Sequence, residues 1–384
     1  MTYLSDYDYI IAGGGAAGLS LLHLLLGSPL QSKTILVVDK DEKNTNDRTW
    51  CFWEKGENPF EDIVYARWRQ VGVHGPKFSQ MLDLDPYAYK MIRGIDFYQY
   101  VQNKAAEFDN VHFLRADIAQ ISSEDDQATL HTNSDQYRAE WIFSSLRPQN
   151  ESLLAKKNIY LLQHFKGWVI RTPKPSFDPD SANLMDFRIA QKGDCRFMYV
   201  LPTDRQTALV EYTIFSKSLL EDGEYDRSII AYLRDYFQLD DYTIEHEEFG
   251  VIPMTDMTYP EPDGLRIVNI GTAGGVTKPS TGYTFMRIQQ DSKRIVDSLV
   301  KGKSPQLYKT RWKQRFMLYD STLLSVMANN YAPARDVFIA LFKNNPPPLV
   351  FKFLDEETSF LEEIRVANSV PSWPFIKGMA KSIY

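Results

Sequence analysis

The stretch YDYIIAGGGAAGLSLLHLLL, residues 7–26, joins a strand pattern, a glycine-rich turn and a helix pattern. Its first six residues read as a short buried strand, and its last eight continue as an apolar helix. Between them, Gly13 permits a tight turn, Gly15 lets backbone amides approach a pyrophosphate, and Gly18 lets the helix pack closely on the strand. The positive end of the helix favours the anion. This order of elements predicts a dinucleotide site.

A second strand, Ile35 to Val38, ends at Asp39, which is placed to hold ribose hydroxyls. The spacing between the turn and this acid is close to the ~20 residues that nucleotide-binding folds use. A tight turn without any ligand is the alternative. Strand, turn, helix, second strand and acid occur in the order that a dinucleotide requires, so we favour the dinucleotide. On this pattern it is either FAD or NAD.

Length and composition narrow the class of protein. The 384 residues exceed the size at which one hydrophobic core stops growing, so two lobes are expected. A net charge of −7 gives no general attraction to nucleic acid, which is not an expected partner. Two cysteines and six histidines without ligand spacing predict no metal site and a reducing, cytoplasmic location. Neither a signal peptide nor an apolar run of ~18 residues is found, so export and a membrane span are not expected.

A second glycine-rich stretch, GTAGGVTKPSTGYTF at residues 271–285, follows an apolar run from Leu265 to Ile270. The run reads as a late parallel strand, and the glycines as a loop whose amides face a ligand across the strand ends. A helix is predicted from about Thr281 to Lys301. Its positive N-terminus would stabilise the negative charge of a reduced flavin, which a nicotinamide never carries. A turn that merely packs the helix on the sheet is the alternative.

A glutamate lies in the middle of an apolar strand pattern. The strand from Ala208 to Phe215 alternates two largely apolar faces, and Glu211 lies on one of them. A carboxyl there loses hydration, so its pKa should rise and it should stay protonated near neutral pH, as an acid must. An edge-strand glutamate that reaches solvent is the alternative. By contrast, a C-terminal acidic group is expected to form a solvated helix face without a catalytic role: Asp355, Glu356, Glu357, Glu362 and Glu363.

Several separated segments form a distinctive set: NDRTWCFWE (46–54), QHFKGW (163–168), MDFR (185–188), YVLP (199–202), VEYT (210–213) and the stretch 271–285. In this chain order they resemble segments of bacterial lycopene β-cyclases, a family of flavoproteins. The resemblance extends over residues 5–320 or so. Residues 353–359, FLDEETS, echo a motif of plant relatives whose glutamate is catalytic. In chain order, however, that motif corresponds to the segment around Glu211.

The resemblance implies a fold of the α/β class with an α+β substrate lobe. A Rossmann-type FAD-binding domain carries an inserted antiparallel-sheet substrate domain, as in p-hydroxybenzoate hydroxylase, and helices follow at the C-terminus. The FAD-binding domain is assigned to residues 1–59, 93–154 and 256–302. The substrate domain is assigned to residues 60–92 and 155–255, and the helical region to residues 303–384.

The resemblance also implies an isomerase that closes β-ionone rings on the ends of lycopene, giving γ-carotene and then β-carotene. FAD must be reduced although there is no net redox change, and NADPH is the usual electron source in the family. Glu211 is the implied acid. We expect it to protonate C2 of the terminal double bond, after which the C5=C6 bond attacks the cation at C1 and C6 loses a proton. An apolar, aromatic pocket should bind the hydrocarbon.

Cofactor and substrate contacts are assigned to residues of these motifs, with Asp117 and Ile118 near the adenine. FAD is expected to contact Gly13, Gly15, Ala17, Gly18, Asp39, Lys40, Arg48, Asp117, Ile118, Gly271, Thr272, Gly274 and Gly275. The predicted aromatic wall around the substrate consists of Trp50, Trp53, Tyr212 and Phe285. Ordinary core packing is the alternative for each of these four rings.

The C-terminal region is predicted to make a peripheral contact with the inner face of the plasma membrane. Six basic residues fall in fifteen positions without an acid: Lys301, Lys303, Lys309, Arg311, Lys313 and Arg315. The apolar runs 338–342 and 349–354 follow and would insert into lipid. A solvated face and core helices are the alternatives.

Two other functions suit a flavoprotein of this kind. One is a flavin-dependent monooxygenase or polyprenyl reductase, and the other is an isoprenoid carrier without catalysis. Related hydroxylases commonly have an aspartate after the late glycine, where Thr272 stands here, and a carrier should have a degraded first glycine motif, which is intact here. Both observations favour the cyclase. No second glycine motif marks a site for the electron donor.

Overall fold

The computed structural model describes residues 3–124, 126–148, 158–259, 264–306 and 311–383. Its strands are β1 (Tyr3–Ala12), β2 (Ile35–Asp39), β3 (Thr49–Glu54), β4 (Ala66–Trp68), β5 (Gln70–Gly75), β6 (Phe78–Asp83), β7 (Ala88–Arg93), β8 (Val111–Arg115), β9 (Ile118–Glu124), β10 (Gln127–Thr132), β11 (Gln136–Ser144), β12 (Tyr160–Arg171), β13 (Ser181–Asp186), β14 (Cys195–Pro202), β15 (Thr207–Ser216), β16 (Thr243–Thr255) and β17 (Ile267–Asn269). Its helices are α1 (Ala16–Leu26), α2 (Gly94–Ala105), α3 (Glu224–Tyr232), α4 (Phe285–Val300), α5 (Arg311–Ala328), α6 (Ala334–Asn344), α7 (Pro347–Leu354), α8 (Phe360–Ser369) and α9 (Ser372–Ile383).

The first sheet contains the strand, turn and helix predicted at the N-terminus. Its order is β8-β2-β1-β11-β10-β9, with β17 beside the C-terminal end of β11. Strands β8, β2, β1, β11 and β17 run parallel, whereas β9 and β10 form an antiparallel extension. Helices α1 and α4 pack together on one face, in a core that includes Leu22, Phe143 and Ile295. The carboxyl ends of β1, β2 and β17 therefore meet at one edge of the sheet.

Two glycines determine how α1 leaves β1. Gly13 has a φ of +108°, a conformation that residues with side chains rarely adopt. A Cβ at Gly18 would lie 2.0 Å from the Gly13 carbonyl oxygen and 2.8 Å from Ile11 Cγ2. Helix and strand can therefore approach this closely because position 18 is glycine, as the motif predicts.

The second sheet has two faces with different neighbours. Its order is β16-β12-β15-β14-β13-β5-β6, antiparallel except for the parallel pair β13 and β5. One face packs beneath α3, with Trp168, Val210 and Tyr212 in the contact. The other face, which includes Tyr199 and Leu209, packs toward β3, β7 and the C-terminal helices.

A small sheet of β3, β7 and β4 connects the two lobes. Its side chains alternate, so that Cys51 and Trp53 face the core of the second sheet, whereas Trp50 and Phe52 pack in the core of the first lobe. Strand β5 leaves this region and pairs with β13 of the second sheet. The predicted boundaries assign β3 and β7 to different domains. The two strands nevertheless pair with each other, and the domain boundaries stay predictions.

Helix α4 begins later than predicted, at Phe285. Gly282 has a φ of +75°, and its amide donates to the Lys278 carbonyl. The Lys278 amide in turn donates to the Tyr283 carbonyl, so these residues form a closed turn. Tyr283 therefore lies on a loop before the helix. Strand β17 is likewise shorter than the predicted run, because Leu265 is 72% exposed.

A buried ion network ties the turn before α4 to the C-terminal helices. Lys278 Nζ lies 3.0 Å from Asp320 Oδ1 on α5 and 3.4 Å from Glu356 Oε1. Arg287 Nη1 contacts the same Glu356 oxygen at 2.5 Å, and Ser280 Oγ donates to Asp320 Oδ1 at 2.5 Å. Because loss of one partner would leave a buried charge unpaired, the network holds the turn against α5.

The C-terminal region is helical, as predicted, but its two apolar runs are not available to a membrane. Phe338 and Phe351 are 3% and 0% exposed and belong to the core on the second sheet. The expectation that runs 338–342 and 349–354 insert into lipid is therefore wrong, because packing on the sheet buries most of their apolar side chains. Of the predicted basic group, Lys309 lies outside the described residues. None of the helices in the described ranges combines the length and apolar content that crossing a bilayer requires.

We expect Gly18→Ala to lower the free energy of unfolding by about 1–3 kcal/mol, because its methyl group would overlap the Gly13 carbonyl. Gly15→Ala is the matched control, because no described atom lies within 4 Å of a Cβ there. Urea unfolding of the two apoproteins measures the difference. Equal stability of both variants would contradict the close packing of α1 on β1.

Candidate active site

Four residues stand in one row across the second sheet. Glu211 on β15 is directly opposite Tyr199 on β14 and Gly167 on β12, and Gly167 is directly opposite Glu248 on β16. Residues directly opposite each other in antiparallel strands point to the same face. This face is the one packed toward β3 and β7. Two carboxyls therefore flank a position that has no side chain.

The two carboxyls contact each other, and each is held by a threonine. Glu211 and Glu248 share a side-chain hydrogen bond. Thr213 Oγ1 donates to Glu211 Oε1 at 2.6 Å, and Thr49 Oγ1 donates to Glu248 Oε2 at 2.7 Å. A Cβ at Gly167 would lie 3.1 Å from Glu248 Cγ and 3.2 Å from its Oε1. Glycine at this position leaves the room that the carboxyl pair occupies.

The pair holds protons more tightly than ordinary glutamates do. Burial raises the pKa of Glu211 to about 8, and the charge of Glu248 adds to the rise. Burial also raises the pKa of Glu248, against the hydrogen bond from Thr49 and the charges of His246 and Arg48, which favour its ionised form. The two groups therefore titrate as a pair that retains a proton near neutral pH.

Phenol and thiol groups lie around the pair. Tyr199 OH lies 3.3 Å from Tyr283 OH, Tyr283 hydrogen-bonds to Tyr89, and Tyr89 hydrogen-bonds to Cys51. Burial raises the pKa of Tyr283 to about 12, so this phenol stays neutral at physiological pH. Cys51, Glu211 and Tyr283 keep part of their surface accessible although each is deeply surrounded by protein. They therefore border an internal space.

Of the four predicted aromatic residues, the structure brings Trp53 to this space and places the other three elsewhere. The Trp53 ring centroid lies 4.3 Å from that of Tyr283. Trp50 and Phe285 stack at 5.8 Å in the core of the first lobe, because alternate residues of β3 point to opposite faces. Tyr212 lies on the far face of the second sheet beneath α3, because it is one residue out of register with Glu211. The prediction of an aromatic wall is corrected for these three.

The acidic group near the C-terminus is not a solvated helix face, contrary to the prediction. Asp355, Glu356 and Glu357 fall at the break between α7 and α8, where Glu356 has a φ of +64°, and the other two acids lie in the first turn of α8. Asp355 accepts a hydrogen bond from Trp53 Nε1 at 2.9 Å, and burial raises the pKa of Asp355 to about 7. Glu363 is 3% exposed and pairs with Arg315 of α5. These acids join the C-terminal helices to one another and to the indole at the site.

The first glycine turn suits a pyrophosphate. Helix α1 has Gly15 as its N-cap and receives no side-chain cap from any described residue, so its first amides are open to a ligand. Asp39, at the end of β2, accepts from the Gly14 amide at 2.6 Å. An open helix N-terminus beside an acid is the arrangement that binds the pyrophosphate and a ribose of a dinucleotide.

The predicted adenine contacts lie beside this acid. The backbone amide of the residue between β8 and Asp117 donates a hydrogen bond to the Asp39 carbonyl oxygen at 3.0 Å. This hydrogen bond brings Asp117 and Ile118 to the same edge of the sheet. Lys40 is exposed there. A cavity of about 530 Å³ opens at this edge, with Gly14 and Asp39 in its wall. Gly14 and Asp39 in the wall of this cavity suit the adenosine half of the cofactor, whereas contacts from Lys40, Asp117 and Ile118 stay predictions.

The second glycine-rich loop lies against the first. Gly271 has a φ of +60°, and a Cβ there would lie 2.8 Å from Ala17 Cβ. A Cβ at Gly274 would lie 2.4 Å from the Asn269 carbonyl oxygen. Thr281 Oγ1 is buried and has no hydrogen-bond partner among the described residues. The two loops therefore form one surface with a polar group left for a ligand, which fits FAD across the ends of β1 and β17.

The remaining predicted cofactor residues lie around these loops. Gly275 has a φ of +70° at the end of the second loop, and Thr272 Oγ1 lies 2.9 Å from Thr277 Oγ1. Arg48 is exposed at the start of β3, next to Thr49. All cofactor contacts stay predictions. Within the described residues, no cluster of three histidine, cysteine, aspartate or glutamate side chains is arranged to hold a metal ion.

Residues 8–380 match the lycopene cyclase protein family. The chain belongs to this family. It is 23% identical over 341 residues to the chloroplastic neoxanthin synthase of Solanum tuberosum, and the match covers 80% of this chain and 65% of that protein. It is 23% identical over 387 residues to the lycopene beta-cyclase of Pseudescherichia vulneris, and that match covers 96% of this chain and 95% of the relative.

The fold of this lycopene cyclase family member is that of solved flavoproteins. A flavoprotein/dehydrogenase from Cytophaga hutchinsonii aligns with 99% of this chain and 100% of its own, at a TM-score of 0.61 and 12% identity. At this identity the likeness concerns the fold alone. It confirms the predicted fold class, in which an α/β nucleotide-binding domain joins an antiparallel substrate sheet.

The sequence patterns did not indicate Glu248, Tyr89, Tyr199 or Tyr283 as site residues. Glu248 lies among several acids of β16, and the sequence does not distinguish it from its exposed neighbour Glu247. The signal that separates the two is the register opposite Gly167, which requires knowledge of which strands pair.

We expect the stability of the apoprotein to fall as pH rises from about 5 to 8. Glu211 binds its proton more tightly in the folded chain, with a pKa of about 8 against an ordinary 4.5. Between these values the folded state holds the extra proton, so raising the pH costs up to about 1.4 kcal/mol per pH unit. Glu211→Gln should flatten this dependence in urea unfolding at several pH values.

Glu247→Gln is the matched control for that measurement, because Glu247 is exposed and pairs with Lys166 on the opposite face. It should retain the pH dependence of the parent chain. An unchanged slope in Glu211→Gln would show that Glu211 has an ordinary pKa.

Proposed function

We propose that this family member is a lycopene β-cyclase, an isomerase that converts the ψ-ends of lycopene to β-ionone rings through γ-carotene to β-carotene. The observation that carries the proposal is a proton-bearing carboxyl, Glu211, which pairs with Glu248 on the face of the substrate sheet that packs toward β3 and β7. The match with the lycopene beta-cyclase along nearly the whole of both chains supports the substrate class.

Ring closure needs an acid because the substrate is a hydrocarbon. Glu211 donates its proton to C2 of the terminal double bond, which leaves a cation at C1. The C5=C6 bond then attacks C1, and loss of the C6 proton restores neutrality. A carboxyl whose pKa is about 8 still carries its proton at neutral pH, whereas an ordinary glutamate does not.

The surroundings of Glu211 suit a cationic intermediate. The Trp53 and Tyr283 rings lie together beside the space, and an aromatic face stabilises a nearby cation by roughly 0.5–2 kcal/mol. The carboxylate left on Glu211 after proton donation is a second source of stabilisation. Burial keeps water away from the cation. Loss of a proton is therefore favoured over addition of water.

FAD is the proposed cofactor, held by the two glycine loops and Asp39. Reduced FAD, when bound, would supply a fixed negative charge beside the cationic intermediate. Asp39 would hold the ribose, the amides of α1 would hold the pyrophosphate, and the unpartnered hydroxyl of Thr281 could hydrogen-bond to the cofactor. NADPH is the proposed electron source, as the resemblance implies.

We also propose that the protein contacts the inner face of the plasma membrane through α8 and α9 rather than through the buried runs. The exposed apolar residues of these helices, here called the C-terminal apolar patch, are Phe360, Leu361, Ile364, Trp373, Ile376 and Met379. Arg365 and Lys377 are exposed beside them and would favour anionic lipid. A hydrocarbon substrate dissolves in the bilayer, so a contact there would bring substrate to the enzyme.

The test of ring closure uses protein reconstituted with FAD, reduced without oxygen and supplied with lycopene in detergent. The product should have unchanged mass and β-ionone ends. We expect Glu211→Gln to retain bound flavin and lose ring closure by on the order of 10³-fold, because an amide cannot donate the proton.

Glu247→Gln is the control for this substitution and should leave turnover unchanged. A product heavier by oxygen or by hydrogen would instead identify a hydroxylase or a reductase. Bound carotenoid recovered unchanged from the reduced enzyme would favour the carrier.

We expect the double substitution Leu361→Ser/Trp373→Ser to weaken binding to vesicles of anionic phospholipid by on the order of 10-fold or more, because two exposed apolar side chains no longer enter the lipid. Leu265→Ser is the control, since Leu265 is 72% exposed outside the C-terminal apolar patch. Vesicle flotation measures the bound fraction. Equal flotation of all three proteins would exclude the patch as the contact.

A further inference from the structure

Glu248 is a buried carboxyl that has no task in the steps assigned to Glu211. Its side chain is 8% exposed, and one of its oxygens accepts from Thr49 Oγ1 at 2.7 Å. Its hydrogen bond with Glu211 places it on the same face of the sheet and beside the same internal space. Burying a second carboxyl against the first costs free energy, because both lose hydration and repel each other when ionised.

We propose that Glu248 is a second catalytic residue, the base that removes the C6 proton and returns it to Glu211 through their hydrogen bond. The inference rests on the proposed ring closure, in which Glu211 is the acid. One carboxyl of the pair donates the proton and the other accepts it. The pair therefore returns to its starting protonation state after each ring closes.

The steps balance without any other reactant. The Glu211 proton forms the new C2–H bond, and the C5=C6 electron pair forms the C1–C6 bond, which moves the cation to C5. Glu248 takes the proton from C6, and the C6–H pair becomes the new C5=C6 double bond. The pair then holds its proton on Glu248, and transfer along the hydrogen bond restores Glu211. One proton enters and one leaves, as an isomerisation requires.

The groups around the pair favour this division of roles. Arg48 and His246 favour the ionised form of Glu248, which a base must have. Toward Glu211 the neighbouring titratable groups are Cys51 and the phenols of Tyr199 and Tyr283, all of which stay neutral near pH 7 because burial raises their pKa. Tyr89 also stays neutral for the same reason. The positive charges of Arg48 and His246 therefore act on Glu248 rather than on Glu211.

The position of the base also decides which ring forms. The C5 cation can lose a proton from C6, from C4 or from the methyl group on C5. These losses give the β ring, a ring with the double bond at C4, and a ring with an exocyclic double bond. A carboxylate held by Thr49 and pressed over Gly167 has one fixed position, so it can select one of the three protons.

The experiment compares reduced, FAD-loaded wild type with Glu248→Gln and Glu248→Asp, with Glu247→Gln as the control one residue along the same strand. Chromatography and NMR of the products give the rate and the ratio of the three ring types. Glu248→Gln should slow ring closure by on the order of 10²-fold or more and should increase the share of the two other rings. Glu248→Asp, which keeps a carboxylate, should recover part of the rate and of the β selectivity.

The pH dependence of turnover separates a base from a residue that merely supports the fold. Wild type should lose activity at low pH as Glu248 is protonated and at high pH as Glu211 is deprotonated, and Glu248→Gln should lose the low-pH decline. Thr49→Val provides a second variant in case Glu248→Gln fails to fold, because it keeps both carboxyls but frees Glu248. It should increase the other two rings.

The outcomes also distinguish this inference from the proposed function. If wild type forms β rings while Glu248→Gln does so at an unchanged rate, with an unchanged pH profile, Glu248 is not the base. If Glu248→Gln does not fold, Thr49→Val provides the test. Formation of β rings as the only product by Thr49→Val would overturn the inference. If wild type forms no rings, the proposed cyclase activity itself is wrong.

Discussion

The site depends on a hydrogen bond between two carboxyls that the sheet holds over a glycine. Glu211 and Glu248 belong to strands that are not neighbours, and β12 lies between them. Their side chains can meet because Gly167 leaves the space above β12 free. Two buried carboxyls repel each other when both are ionised, so the pair retains a proton. A carboxyl that stays protonated near neutral pH thus results from register, one glycine and burial.

The rest of the molecule encloses this pair from three directions. Strand β3 contributes Thr49, Cys51 and Trp53 on one face while its alternate residues stabilise the first lobe. The turn before α4 contributes Tyr283, and the C-terminal helices hold that turn through Lys278 and hold Trp53 through hydrogen bonding. The C-terminal region therefore has a structural task at the site, beyond any contact with lipid.

The sequence predicted local features well and contacts between distant strands poorly. Strand β1, its glycine turn and the inward face of Glu211 follow from residues that are neighbours in sequence, where periodicity and motif spacing are informative. The prediction that Tyr212 lines the substrate pocket is wrong, although the alternation along β15 already places Tyr212 and Glu211 on opposite faces of the sheet. Glu248 could not be found this way, because its partner across β12 depends on register between segments separated by dozens of residues. The prediction for the acids around Asp355 is wrong because a cluster of acidic residues has the same sequence pattern whether its side chains are solvated or pair with buried groups.

A fold shared with oxidoreductases does not assign the chemistry of this chain, because catalysis resides in the groups that line the site. Here the groups nearest the internal space are two carboxyls and neutral phenols, which can donate and accept protons. Tyr283 lies on the loop between the second glycine motif and α4, so the same backbone segment reaches the predicted flavin surface and the acid. A cofactor held by those loops would therefore lie next in sequence to the segment that places Tyr283 against Tyr199, in the row that contains Glu211.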